Sequence, residues 1–291
     1  MRKKRRSTLS IVLLSLATII IVLFLTLPLI GIFLASIHTE GELQAVPPHW
    51  IPHKPTALNY LSFVSEPARE KLPLFPPYMK YFSRAFRNSV VVSVFTAILT
   101  LVLGAPVSYT LARLKGAASN YISLTVLATR MLPLPAVMIP LYVILRRVGL
   151  LDSSIGLVWV YVGFFTPYAI WMLRSFLMNL PPDLEESAMV EGCTKFGALI
   201  RIVIPLSLPG MAAVGVIVFL FSWNLFVIPL ILTSKQALVM PVVIGLSAQE
   251  GLLSYSLLSA IGIVAAVPTL LLAVILHKYI ISGLLGGALK S

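Results

Sequence analysis

Asp183–Pro209 reads DLEESAMVEGCTKFGALIRIVIPLSLP, a polar and charged segment set between two long apolar runs. The run before it, from about Ser153 to Leu173, carries no charge, and neither does the run after it, from Ile202 to about Ser234. Each has at least the roughly 20 residues needed to cross a hydrocarbon layer of about 30 Å. The segment between them is patterned for structure of its own. Pro181 and Pro182 stop the preceding span, and Asp183 followed by Glu186 three positions later predicts a capping box at a new helix start. Gly192 offers the left-handed geometry that ends such a helix, and Thr194 is placed to cap a second one. Phe196, Leu199, Ile200 and Val203 then fall at helical spacing on one face. Two short amphipathic helices tied to two spans suit docking into a partner's groove.

Composition independently points to a membrane protein. Hydrophobic residues make up 58% of the 291 and charged residues only 11%, against about 25% charged in ordinary soluble domains. Mean hydropathy is +0.98. Uncharged apolar runs cover Leu9–Ile37, Asn88–Ala112, Ser153–Leu173, Ile202–Ser234 and Gly251–Leu276, and a further run, Tyr121–Leu145, is interrupted only by Arg130. A β-barrel would show short alternating segments instead. The expected fold is therefore all-α, a polytopic membrane protein of six transmembrane helices. The first run is too long for a cleaved signal peptide and is read as retained.

The net charge of +12 follows membrane topology rather than a nucleic-acid surface, because the charges sit at span ends. The cluster Arg2-Lys3-Lys4-Arg5-Arg6 directly before the first span predicts a cytoplasmic N-terminus. Six spans return the C-terminus to the same side, together with Arg113, Lys115, Arg174, Lys195, Arg201, Lys278 and Lys290. Arg146-Arg147 runs against this assignment, since it falls outside. Between Ile37 and about Arg84, Pro47, Pro48, Pro52, Pro55, Pro67, Pro73, Pro76 and Pro77 make a continuous helix unfavourable. This external loop has two open readings, a surface facing a partner outside the membrane or a folded cap over span ends.

Each span also contains proline: Pro28, Pro106, Pro133, Pro135, Pro140, Pro167, Pro205, Pro209, Pro229 and Pro268. The backbone groups that these residues release must be satisfied by neighbouring helices or a water-filled path, as in the broken helices of transporters. Arg130 falls near the midplane of its span, where an ionisable group marks a functional site by default. It either meets substrate or satisfies carbonyls freed by Pro133 and Pro135. Asn224, in FSWNLF beside Trp223, can bond a substrate hydroxyl or a neighbouring helix. Tyr168 belongs to an aromatic-rich fourth span suited to stacking or to packing.

Several chemistries are not encoded. No G-x-x-x-x-G-K-[ST] loop occurs, so ATP is not bound by that motif. Cys193 is the single cysteine, His49 and His53 are separated by Pro52, and no metal site is expected. The acidic residues lie almost wholly in loops, which leaves no intramembrane proton relay. An intramembrane enzyme would need a convergent catalytic set, and none is visible.

Glu186-Ser187-Ala188, then Gly192, then Ile204-Pro205-Leu206 resemble the coupling-loop signature of the permeases of ATP-binding-cassette importers, with Ser187 and Glu191 as mild departures. The likeness to the maltose-type carbohydrate permeases extends over most of Pro55–Ser291. It includes Pro55-Thr56-Ala57-Leu58-Asn59-Tyr60, Arg130-Met131-Leu132-Pro133, Ile139-Pro140-Leu141-Tyr142, Gly149-Leu150-Leu151-Asp152, Trp223-Asn224 and the tail from His277 to Lys290. The resemblance implies a permease subunit, not an enzyme, in the plasma (inner) membrane. It implies a cytoplasmic coupling helix pair between spans 4 and 5, with Glu186, Ser187, Ala188, Gly192, Phe196 and Pro205 transmitting the ATPase cycle. It also implies a second, different permease (a heterodimer), two ATP-binding-cassette ATPase subunits and an external solute-binding protein. ATP and Mg would be bound by the ATPase partner, with no cofactor in this chain. A sugar or oligosaccharide is the expected cargo; a polyamine, phosphate or amino acid is the alternative. The expected layout is residues 1–37 as basic N-terminus and first span, 38–84 as external loop, 85–281 as permease core with 179–204 as coupling loop, and 282–291 as cytoplasmic tail.

Overall fold

The computed structural model describes residues 8–47, 49–72, 75–249 and 254–288. The basic cluster at 2–6 and the end of the tail, Leu289-Lys290, lie outside the described residues. No β-strand occurs among those described. The long helices are α1 (Thr8–Ser36), α2 (Phe82–Arg113), α3 (Ala117–Ala128), α4 (Leu134–Arg147) and α5 (Ser154–Leu177). Then come α6 (Asp183–Val190), α7 (Lys195–Ala198), a π turn at Leu199–Val203, α8 (Ile204–Asn224), α9 (Val227–Leu232), α10 (Met240–Gln249) and α11 (Tyr255–Ala288). Five helices are long and apolar enough to cross a membrane, or six spans if α3 and α4 count together as one.

The chain divides into two compact units. The first comprises residues 1–80 and 246–267. In it α1 is apolar on every side, and from Val12 to Phe33 all its residues except Thr26 are exposed, as on a helix covered by lipid. The proline-rich segment after α1 forms no long helix. It makes one-turn helices at Glu40–Leu43, Leu58–Leu61 and Glu66–Glu70 that fold back over the end of α1. Asn59 donates to the Ser36 carbonyl at 2.9 Å, Ser36 and Tyr60 share a hydroxyl bond of 2.6 Å, and the Thr56 amide donates to Ile37 at 2.8 Å. Glu40 accepts from the Tyr255 and Ser256 amides, capping the start of α11. The loop therefore folds onto the end of α1 and the start of α11. His49 and His53 approach edge to face at 4.5 Å, but no group of three metal-ligating side chains occurs among the described residues.

The second unit, residues 81–245 and 268–291, is organised by α2, α5 and α8, which pack on one another. The face of α2 that makes this possible is built of small residues, with Ser89, Ser93, Thr96, Ala97, Thr100, Gly104, Ala105 and Ser108 all buried. Small side chains let membrane helices approach closely and bond across the gap. Ser108 does so, its hydroxyl lying within bonding distance of the Gly104 carbonyl (2.7 Å) and the Ile170 carbonyl (3.2 Å).

Two expected spans are altered by proline. The third span, in which Pro133, Pro135 and Pro140 leave backbone groups to be satisfied elsewhere, is a pair, α3 with its 3-10 extension and α4, bent by 84°. Leu132 and Pro133 are both extended, with ψ of 127°. A residue before proline is pushed out of the helical region, and Pro133 imposes this on Leu132, while Pro135 is accommodated in the first turn of α4. The fifth apolar run does not continue as one helix to Ser234. Pro229 has no N–H to offer the Leu225 carbonyl, and the helix ends at Asn224 before restarting as α9.

Candidate functional site

The segment between α5 and α8 folds as two short helices, with differences from expectation at the first. Pro182, not Asp183, occupies the cap position, with helical φ of −65°, and no side-chain cap bond forms. The capping box is absent because the proline's fixed φ starts the helix one residue earlier. Asp183, Glu185 and Glu186 instead fill the first turn, where negative charge opposes the helix dipole. Gly192 does end α6, at φ +92°. The Cys193 amide donates to Ala188 at 2.9 Å and the Gly192 amide to Met189 at 3.1 Å, the paired bonds of a Schellman motif. Thr194 caps α7 through its hydroxyl, which accepts from the Gly197 amide at 3.0 Å.

The apolar residues expected on one face fall into two rows. Leu199 and Val203 are buried with Leu177, against Tyr109, Ala112, Leu180 and Ile204. Phe196 is 65% exposed and Ile200 49%, pointing away. The cause is local: Pro205 cannot donate to Arg201, and the chain accommodates this with the wide π turn at Leu199–Val203. With Leu184 and Val190, Phe196 and Ile200 leave an outward apolar row uncovered by the described residues. Glu186, Ser187 and Pro205 are exposed and Ala188 is buried. The Ser187 hydroxyl is taken up by the Asp183 carbonyl of its own helix, at 2.8 Å.

A clamp not anticipated from the sequence holds α6 to the spans. Arg113, the last residue of α2, pairs through Nε with Glu185 Oε1. Its terminal nitrogens donate to the Leu177 and Leu180 carbonyls, each at 3.2 Å. Along the sequence, Arg113 reads only as a basic residue at a span end. A cavity of about 630 Å³ lies beside this clamp, with Glu186 and Lys195 on its wall.

The opposite ends of α2 and α5 converge on the loop after α9. Asp152, at φ 53° just before α5, accepts from the Ser234, Lys235, Gln236 and Ala237 amides and from the Ser234 hydroxyl, at 2.8–3.1 Å. Burial pushes its carboxyl up, but these donors outweigh burial and hold it at about 2. Near the start of α2, Asn88 donates to the Gln236 and Leu238 carbonyls at 2.9 and 3.0 Å. Asn88 and Arg113 are separated by about 37 Å of helix at 1.5 Å per residue.

Between these ends lies a half-open cavity of about 400 Å³ at the α3–α4 break. Its wall includes Thr129, Arg130, Leu132, Trp159, Phe164 and Pro167. Arg130 donates from Nη1 to the Phe164 carbonyl at 2.6 Å and lies over the Phe164 and Phe165 rings at 5.6 and 5.4 Å. Its partner is thus a carbonyl of α5, in the turn that Pro167 interrupts, rather than one freed by Pro133 or Pro135. Tyr168, Trp223 and Asn224 do not line this cavity. Tyr168 packs on Trp171 and Phe221; Trp223 is buried between Phe86 and Phe219. Asn224 is exposed at the end of α8 and donates to the Leu220 carbonyl at 2.8 Å.

Proline-broken spans around a mid-span cavity, with a polar helix pair at one end, define a multi-pass helical membrane protein built for transport. Residues 104–285 match the family described as binding-protein-dependent transport system inner membrane component. The chain belongs to this family, and is the inner-membrane component of such a system rather than an enzyme. It is 35% identical over 264 residues to the sulfoquinovosyl glycerol transport system permease protein SmoH of Agrobacterium fabrum, covering 90% of this chain and 88% of that one. It is 27% identical over 288 residues to the trehalose/maltose transport system permease protein MalG of Thermococcus litoralis, covering 98% and 99%. In fold it is similar to a chain of a bacterial ABC transporter involved in import of the acidic polysaccharide alginate. That match has a TM-score of 0.73 at 20% identity and covers 96% of this chain and 99% of that one.

Proposed function

We propose that this chain is one of two different permease subunits in an ATP-driven importer of a sugar or oligosaccharide. Substrate arrives on an external solute-binding protein, and two ATPase subunits, which bind ATP and Mg, drive alternating access. The observation that carries this reading is the exposed helix pair, clamped by Arg113 to the ends of two spans, in a chain related along nearly its whole length to sugar-system permeases. Glu186, Gly192 and the outward row including Phe196 are assigned to the ATPase contact. Ser187, Ala188 and Pro205 shape the pair behind them. The same layout assigns residues 38–84 to the external face and 282–291 to the cytoplasm.

Both termini and Glu186 face the cytoplasm, while Trp50 and Lys235 face outward. Two features support this sidedness: the basic N-terminal cluster, and the separation of the Arg113 and Asp152 contact sets to opposite ends of α5. Arg146 and Arg147 close the last turn of α4, where cations are favoured by the helix dipole whichever side they face. Arg130 and Asn224 stand at helix breaks and are assigned to the substrate path, backed by the aromatic packing of Tyr168 and Trp223. Reconstitution tests the reading. The chain alone in proteoliposomes neither hydrolyses ATP nor takes up sugar, whereas the complex with partner permease, ATPases and binding protein shows sugar-stimulated hydrolysis. Robust uptake by the chain alone would make it a secondary carrier.

A further inference from the structure

We infer that the cavity at the α3–α4 break recognises a negatively charged sugar, with Arg130 as the group that binds its carboxylate or sulfonate. The inference rests on the sugar-importer reading and specifies the chemical class of its cargo. Phe164 is near the middle of α5, a helix of 24 residues, so the cavity lies about 15 Å from one end of that helix and about 20 Å from the other. A cation at that depth is costly to keep.

The contacts Arg130 makes do not account for its charge. Of the five N–H donors of a guanidinium, one reaches the Phe164 carbonyl, and no other hydrogen bond is made among the described residues. A neutral donor would serve that carbonyl equally well. The faces of Phe164 and Phe165 steady the cation without occupying its remaining donors, which lie in the plane of the group. Among the described residues no carboxylate pairs with it: the acidic ones are at 40, 42, 66, 70, 152, 183, 185, 186 and 191, and none of these lines the cavity.

A guanidinium held at one nitrogen in a half-open, largely apolar cavity, with no carboxylate beside it among the described residues, is a site for an anion, and its planar fork matches a carboxylate or sulfonate in two-pronged geometry. The rest of the wall suits a sugar ring. Trp159, 55% exposed, presents a flat aromatic face, and Leu132 and Pro167 supply further apolar surface. A phospholipid headgroup does not reach this level, because the hydrocarbon layer is about 30 Å thick and its charged groups lie beyond that layer. An acidic saccharide on its way through the membrane does.

The test uses the complete importer in proteoliposomes, supplied with matched pairs of saccharides: a neutral disaccharide with its uronic-acid counterpart, and a neutral glycoside with its sulfonated counterpart. The wild-type complex should favour the acidic member of a pair by about ten-fold or more. Loss of one charge-assisted contact lowers the acidic-to-neutral uptake ratio roughly 10- to 100-fold in Arg130→Gln. Arg130→Lys, which keeps the charge but loses the fork, should lower it about three- to ten-fold. If Arg130→Gln does not assemble, the lysine variant decides alone, and an unchanged ratio in it overturns the inference. An unchanged ratio in an assembled Arg130→Gln complex does the same, as does uptake of neutral sugars only, which leaves the sugar-importer reading standing. Failure to take up any saccharide, neutral or acidic, removes that reading together with the inference.

Discussion

Arg113 and Glu185, 72 positions apart in sequence, form an ion pair at the junction where α2, α5 and α6 meet. The side chains are 22% and 5% exposed, so the pair is largely withdrawn from water. Because the same guanidinium also holds the Leu177 and Leu180 carbonyls, the end of α5 and the helix that follows it are tied to α2 by one side chain.

Removing Arg113 therefore leaves a buried carboxylate without its counter-charge and two carbonyls without donors. Arg113→Ala should lower stability by about 3–5 kcal/mol, the usual cost of breaking a buried pair from one side. Arg113→Lys retains the charge but not the three-point reach, and should fall between the two. Thermal unfolding of the purified protein in detergent measures the order. Equal melting temperatures for all three would show the pair to be incidental.

Two glycines should respond differently to alanine. At Gly156 a Cβ would sit 2.3 Å from the Leu150 carbonyl oxygen, a backbone atom that cannot swing away. At Gly192 nothing lies within 4 Å of a Cβ, and only the φ of +92° opposes substitution, costing about 1–2 kcal/mol. Gly156→Ala should thus give the larger drop in melting temperature, with Gly192→Ala a mild local strain. A larger drop for Gly192→Ala would contradict the packing described for the start of α5.

The Asp152 anchor carries a pH dependence of defined sign. Its carboxyl is held at about 2 in the folded chain, against about 3.9 when unfolded. A lowered folded-state value means the contribution is fully present above pH of about 4 and is lost as pH falls toward 2. The melting temperature of Asp152→Ala should lie below that of the wild type at pH 7, and the gap should close on acidification through this window. A gap that stays constant would mean the carboxylate contributes only shape.

Asn224→Ala separates path from packing at the end of α8. A path role predicts altered relative uptake of related sugars by an intact complex. Equal loss for every sugar, accompanied by lower thermal stability, would assign Asn224 to the helix end alone.

Features set by local chemistry were readable along the chain. Gly192 and Thr194 act where the sequence places a helix end and a helix start, and the uncharged runs become the long helices. The misreadings arise where local rules compete. Pro182 starts α6 before Asp183 can cap it. Tolerance of proline in spans gave no means of telling a slight kink from the 84° bend at Leu132–Pro133. The π turn before Pro205 splits the face expected for Phe196, Leu199, Ile200 and Val203, since it changes the angular step between residues. The Arg113 clamp and the Asp152 anchor join positions 64 to 85 apart. No local pattern announces such pairs; only the packed helices bring them together.

Glu186 and Gly192 are the residues on which transmission of the ATPase cycle is proposed to depend. Sugar-stimulated ATP hydrolysis and sugar uptake, measured side by side in the reconstituted complex for Glu186→Ala and Gly192→Val, test this. Glu186 is exposed and forms no side-chain cap, so its loss leaves the fold of the chain intact. One lost charge-assisted contact in a partly dry interface is worth about 2–3 kcal/mol. The predicted result is membrane insertion and pairing with the partner permease as in the wild type, with uptake per ATP hydrolysed reduced by roughly ten-fold or more, or with weaker retention of the ATPase. Normal sugar-stimulated hydrolysis and normal uptake in both variants would contradict the account.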